Sequence, residues 1–176
     1  MASIVILSDT HTERDVITDI KAHYPKSPIF HCGDSELPSD DPIWSGITVV
    51  AGNCDYDPGY ETEKVTTLEG KKILLTHGHL QAINIYGLTD LANRAEVLNA
   101  NIVFFGHIHR PVAELIDNRL FLNPGSASQP RGEIQIKMYA TLDILPGANH
   151  TIYRISYKDL THQPIPQLQY TLEAAL

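Results

Sequence analysis

Ser3-Ile4-Val5-Ile6-Leu7-Ser8-Asp9-Thr10-His11 decides how the chain is read. Four consecutive apolar residues, three of them β-branched, predict a strand buried on both faces, and the residues that carry chemistry begin where it stops. The same grammar recurs. Ile29-Phe30-His31-Cys32 runs into Gly33-Asp34, and Ile47-Thr48-Val49-Val50 leads to Gly52-Asn53-Cys54-Asp55. Ile73–Thr76 meets His77-Gly78-His79, and Ile102-Val103-Phe104-Phe105 ends in Gly106-His107-Ile108-His109. Short strands that each deliver polar groups at one end predict a functional site built from strand termini.

Between these runs the periodicity changes. Thr12 with Asp15 three residues later reads as a capping box for a helix reaching Tyr24, which Pro25 would stop. The opening is therefore β-α-β-loop-β. Val65–Leu68 and Ile73–Thr76 flank Glu69-Gly70-Lys71 as a hairpin, and Thr89–Ala100 places Leu91, Ala95 and Leu98 on one helical face. Ala113–Ile116, Leu120–Leu122, Met138–Ile144 and Thr151–Tyr157 read as further strands, with turns at Asp117-Asn118, Asn123–Ser126 and Pro146–Asn149. Ser35–Asp41, Asp57–Glu63 and His79–Leu88 read as loops, and Thr161–Leu176 as an edge strand or a frayed tail. An alternating first half and a β-rich second half predict an α/β (α+β) fold of two packed sheets flanked by helices.

A length of 176 residues predicts a single domain over 1–176. With 43% apolar and 19% charged residues, the composition excludes a disordered chain, a collagen and a disulfide-stapled miniprotein. Thirteen basic against 21 acidic residues leave a net charge of −8, which argues against tight, sequence-independent binding of nucleic acid. Two cysteines, Cys32 and Cys54, form no disulfide framework and suit a reducing compartment. The run Ile4–Leu7 is too short for a signal-peptide core or a membrane span, so the expectation is a cytoplasmic protein without a membrane partner.

The strand ends together offer Asp9, His11, Asp34, Asn53, His77, His107 and His109. Carboxylate, imidazole and carboxamide without thiolate suit a hard or borderline divalent metal. Seven groups exceed what one ion takes, so the count suggests two ions sharing a carboxylate, about 3.5–4 Å apart. Residues two apart in an extended segment point the same way, so Asp9/His11 and His107/His109 can each converge on a cation. Glycine before Asp34, Asn53 and His107 would allow a sharp turn at the strand end.

In this order the blocks Asp9-Thr10-His11, Gly33-Asp34, Gly52-Asn53-Cys54-Asp55, His77 and Gly106-His107-Ile108-His109 resemble the signature of the calcineurin-like metallophosphoesterases. Within them, the chain is similar to the small single-domain branch of bacterial and archaeal phosphodiesterases, over residues 3 to about 131 and including Asn123-Pro124-Gly125-Ser126. The resemblance implies a four-layer α-β-β-α sandwich of two mixed sheets. It implies that Asp9, His11, Asp34 and His109 bind one metal, and that Asp34, Asn53, His77 and His107 bind the other, with Asp34 bridging. It implies hydrolysis of a small phosphodiester by a hydroxide held between two divalent ions, without a covalent phosphoenzyme. Mn²⁺ is the first candidate, and Ni²⁺, Zn²⁺, Fe²⁺, Co²⁺ and Mg²⁺ are the others. Cys54 stands where many members carry the histidine thought to protonate the leaving group. A thiol is the poorer proton donor, so either diesters with good leaving groups are preferred or another acid such as His79 substitutes.

Each of these residues also has a plainer reading. Cys54 can be an apolar filler, His31 a core group, and His23, His150 and His162 surface residues. Arg110 and Arg131 can meet a substrate phosphate or an exposed carboxylate, and Gly125 and Ser126 fit turn chemistry better than an anion nest. A metal-binding scaffold for protein assembly, as in the phosphoesterase-like subunit of retromer, is the alternative function, and the intact set of seven ligand positions argues for the enzyme. A metallo-β-lactamase fold is disfavoured because His107-Ile108-His109 continues as Arg110-Pro111-Val112. Association into a homo-oligomer stays open.

Overall fold

In the computed structural model, which describes residues 3–176, successive residues of each central strand go to different layers. In β1 (Ile4–Leu7), Ile4 and Ile6 face an inner core while Val5 and Leu7 pack on the other side with Ile17 and Ile20 of α1 (Arg14–His23). Both faces are thus covered, which is why the strand is apolar throughout. In β5 (Lys71–Thr76) and β6 (Ile102–Phe104), Ile73, Leu75, Ile102 and Phe104 enter the same inner core. Leu74 and Val103 turn outward to Leu91 and Ala95 of α3 (Thr89–Val97). Three apolar layers between two sheets and their helices make the four-layer α-β-β-α sandwich.

One sheet has six strands in the order β11-β10-β9-β1-β2-β3, with β2 (Ile29–His31), β3 (Ile47–Val49), β9 (Met138–Pro146), β10 (His150–Asp159) and β11 (Pro164–Ala175). The other has five, β4-β5-β6-β8-β7, with β4 (Glu63–Leu68), β7 (Pro111–Ile116) and β8 (Arg119–Pro124). Both are mixed: β1-β2-β3 and β5-β6-β8 run parallel, and the remaining neighbours are antiparallel. The hairpin between β4 and β5 turns through Glu69 and Gly70, both with positive φ (55° and 72°), the geometry of a tight two-residue connection. In an open sheet, ligands gather beyond the carboxyl ends of parallel strands. The segments after β1, β2, β3, β5 and β6 meet there.

Four expectations are corrected. The capping box at Thr12 and Asp15 does not form: the helix begins at Arg14 without a side-chain cap. His11 and Thr12 are both left-handed (φ 40° and 70°), and the Thr12 N–H donates to the Ser35 carbonyl at 2.9 Å, which carries Thr12 away from the cap position. The second long helix ends at Val97, short of Ala100, because Asn99 turns left-handed (φ 53°) and lets the Ala100 N–H return to the Ala95 carbonyl. The segment 79–88 is not all loop, since Ile83–Tyr86 forms the short helix α2. The terminal stretch is an edge strand, not a frayed tail. His162, expected on the surface, is half-buried between the Tyr139 hydroxyl (2.9 Å) and Asp19 (3.0 Å), and the exposed His23 ring stacks on it.

Candidate metal centre

The pairs Asp9/His11 and His107/His109 do converge, but not along extended backbone. All four residues and Asp34 have positive φ, between 40° and 73°. A left-handed residue other than glycine costs about 1–3 kcal/mol, a cost met where the surroundings fix it. Here the fixing bonds are visible. The Asp9 N–H donates to the Gly33 carbonyl and the His11 N–H to the Asp34 carbonyl, both at 3.0 Å, while the Gly106 N–H donates to the His77 carbonyl. The Asp9 carbonyl accepts from the hydroxyls of Ser126 and Ser128 at 2.8 Å each.

Only one of the three glycines before the site residues is a left-handed turn, Gly33 (φ 102°). Gly52 and Gly106 are needed for close approach instead. A Cβ on Gly52 would lie 2.6 Å from the Asp34 nitrogen, and one on Gly106 would lie 2.7 Å from Asp9 Oδ2.

Three of the four imidazoles are oriented by their outer nitrogen. His77 Nδ1 donates to the Cys32 carbonyl and His109 Nδ1 to the Gln129 carbonyl, both at 2.7 Å, and His11 Nδ1 pairs with Glu36 at 3.1 Å. In neutral rings this leaves three Nε2 lone pairs directed inward. There they meet more acceptors. His11 and His109 Nε2 face each other at 3.3 Å, and His77 Nε2 lies 3.2 Å from Asp34 Oδ2 and 3.1 Å from Asn53 Oδ1. His107 presents Nδ1 to the same Asn53 oxygen at 2.9 Å. Asp9 Oδ2 is held by the Ser8 hydroxyl at 2.5 Å, but Oδ1 is buried without a hydrogen-bond partner. Around that oxygen stand Nε2 of His109 (3.0 Å), His77 (3.8 Å) and His11 (3.9 Å).

Acceptors turned toward one another in a buried space require positive charge between them. A metal ion meets that requirement, and the donor set fits it: Asp9, His11, Asp34 and His109 each offer a ligand atom within 4.8 Å of the others. Without metal, protons take the role. Burial lowers the His77 pKa, but Asp34 and Asp9 outweigh it and raise the group above its ordinary value. Burial likewise raises Asp34 and Asp9, and the neighbouring imidazoles reverse this, holding both carboxyls below the usual range.

Asp34 lies between the two halves of the cluster, with Oδ2 toward His77 and, at 4.0 Å, His11, while Oδ1 accepts the Cys54 N–H at 2.8 Å. The Cys54 thiol is half-buried, and burial together with Asp34 pushes it up to about 11, so it is protonated at neutral pH. His79 is beside the cluster, its ring 5.4 Å from that of His77. Burial and the His77 charge lower its pKa, and its buried Nδ1 lacks a partner. His31 is a core group as read: Gly33 N–H donates to its Nδ1 and its Nε2–H donates to Thr10. Ser126 accepts the Ser128 and Gln129 N–H groups, which is turn chemistry as expected.

Two residues without an assigned role prove central. Asp55 gathers the N–H groups of Asp34, Gly52 and Glu36, each at 2.7 Å, and so fixes the two glycine-led turns. Its place at the end of Gly52-Asn53-Cys54-Asp55 was the available signal. Glu36 orients His11, and no spacing rule marks it.

Known proteins resemble the chain in sequence and in fold. The calcineurin-like phosphoesterase superfamily domain matches residues 2–146. The probable metallophosphoesterase YsnB of Bacillus subtilis is 39% identical over 131 residues, 73% of this chain and 77% of that protein. The phosphodiesterase YfcE of Escherichia coli is 35% identical over 95 residues, 49% of this chain and 47% of its own. Among solved structures, a conserved uncharacterized protein of Streptococcus pneumoniae, a predicted phosphoesterase, superposes with a TM-score of 0.91 at 37% identity, over 98% of this chain and 97% of that one. The chain belongs to the calcineurin-like phosphoesterase superfamily.

Proposed function

We propose that the protein is a metal-dependent phosphodiesterase acting on a small-molecule diester in the cytoplasm. The observation that carries the reading is the convergence of Asp9, His11, Asp34 and His109 within 4.8 Å of one another, with the buried Asp9 Oδ1 left unpartnered among them and His77, Asn53 and His107 in contact alongside. Asp9, His11, Asp34 and His109 would hold one divalent ion, and Asp34, Asn53, His77 and His107 a second, with Asp34 shared; Mn²⁺ is the first candidate. Bound ions would supply charge to the phosphoryl oxygens and acidify a water molecule.

The chain's own residues do the rest. Glu36 and the Cys32 and Gln129 carbonyls hold the imidazoles in the tautomer that ligates. Asn53 has its oxygen toward His77 and His107 and its amide 3.5 Å from the Cys54 sulfur, and the family resemblance implies that Cys54 stands near the leaving group. A thiol at Cys54 is a poorer proton donor at neutral pH than an imidazolium, which favours esters with good leaving groups.

The test is hydrolysis of bis-p-nitrophenyl phosphate and p-nitrophenyl phosphate by metal-stripped protein before and after addition of Mn²⁺, Ni²⁺ or Mg²⁺. Activity on the diester should vanish on chelation and return with metal, and Asp34→Asn should abolish it. Full turnover in chelator would refute the metal dependence, and preference for the monoester would refute the diesterase assignment.

A further inference from the structure

Beside the acceptor cluster lies a cleft of about 340 Å³ whose lining joins His107 to Ile83, Asn84, Ile108, Arg110 and Arg131. It is in the size range that holds small ligands. His107 forms part of its wall, so an occupant of the cleft is continuous with a substrate at the cluster. Arg110 and Arg131 are both exposed, and among the described residues neither guanidinium makes an ion pair, whereas Arg14 has Asp41 and Arg94 has Glu63.

The two arginines are placed by the backbone that places the ligands. Arg110 follows His109 directly, and the Arg131 N–H donates to the His109 carbonyl at 3.0 Å. Gly132 lies against the Arg110 side chain, where an added Cβ would stand 3.4 Å from Cγ and Cδ. A separate cleft, lined by Glu36, Cys54, Asp55, Tyr56 and Asp57 among others, shares no residue with the first and carries three carboxylates and no cation. The rim of the site is therefore polarised, with the two unpaired guanidinium groups on the His107 side and carboxylates beside Cys54.

We propose that Arg110 and Arg131 form a subsite for a second phosphate, so that the substrate is a phosphodiester with a phosphomonoester on one arm. This rests on the phosphodiesterase reading above. Two guanidinium groups match phosphate oxygens by paired N–H donors. Ile83 and Ile108 supply an apolar floor for the carbon skeleton between the two phosphates, and the acidic cleft repels an anionic arm laid the other way.

A matched pair of chromogenic esters isolates this effect: the p-nitrophenyl ester of thymidine 5′-phosphate with either a free 3′-hydroxyl or a 3′-phosphate, assayed with Mn²⁺-loaded protein. The phosphorylated ester should show kcat/KM higher by about tenfold or more, carried by KM, and Arg110→Ala/Arg131→Ala should bring the ratio to about one. Equal values in the unsubstituted protein, or a ratio that survives the double substitution, would overturn the subsite. Should the double variant fail to fold, Arg110→Gln and Arg131→Gln singly report the same ratio.

Cleavage of neither ester would count against the phosphodiesterase reading alone, because calorimetry reads the subsite without turnover. Thymidine 3′,5′-bisphosphate should bind about tenfold more tightly than thymidine 5′-monophosphate, and the double variant should lose the difference. Equal binding of the two nucleotides would overturn the proposal.

Discussion

Protonation of His31 should weaken the fold in a window set by its burial. The ring is fully buried, and burial pushes its pKa down to about 4, against about 6.5 in an unfolded chain. The folded state therefore favours the neutral ring. Its contribution is complete above about pH 6.5 and declines as pH falls toward the folded value of about 4. Integrated from about pH 7 to about pH 5, the loss is about 2 kcal/mol. The cause is local: Nδ1 accepts the Gly33 N–H at 3.1 Å, and a proton there would eliminate that bond next to Asp34. Urea unfolding followed by circular dichroism, in chelator, over this pH range measures the loss in the unsubstituted protein and in His31→Asn. Because the other titrating groups are common to both, the variant should show a pH dependence shallower by about 2 kcal/mol, whatever its absolute stability. Parallel pH profiles would refute the assignment of this window to His31.

Three further outcomes follow from the same contacts. Asp55→Ala leaves the N–H groups of Asp34, Gly52 and Glu36 without their acceptor and should lower stability by about 2–4 kcal/mol and Mn²⁺ affinity by about 10–100-fold, read by urea unfolding and calorimetry. Cys54→His should raise turnover of a poor-leaving-group diester by about tenfold or more and leave bis-p-nitrophenyl phosphate nearly unaffected, which a leaving-group series of aryl esters would show. Mn²⁺ at about one hundred times its Kd should raise Tm by about 5–10 °C, and Asp9→Asn should remove most of that shift in a thermal melt.

The layers were legible in the sequence because Ile4-Val5-Ile6-Leu7 and Ile102-Val103-Phe104 are apolar at every position, which only a strand covered on both faces tolerates. β11 was less so. The register between β10 and β11 shifts between Ser156 and Lys158, and the buried positions Ile165 and Leu168 fall three apart, so the alternation that marks a strand is broken. The four residues of α2 are too few to show a period. At the site, the sequence named residues that the fold brings together, but the argument from extended alternation missed the left-handed conformations at Asp9, His11, His107 and His109, which long-range hydrogen bonds impose. Asp55 escaped a role for a related reason: its partners are backbone N–H groups, and no side-chain pattern announces them.

Asp9 follows a strand of one sheet and His109 follows a strand of the other, and their meeting at 3.0 Å closes a long stretch of chain. Closure entropy grows with the logarithm of loop length, and contacts of such separation are slow to form. On a translating ribosome, β1, β2 and β3 can begin to pair while the four histidines of the cluster are still incomplete. A metal site that needs His109 beside Asp9, His11 and Asp34 would be incomplete until the Gly106–His109 segment has emerged. An intermediate stalled before that point would leave Asp9 without the His109 imidazole that faces it in the finished fold.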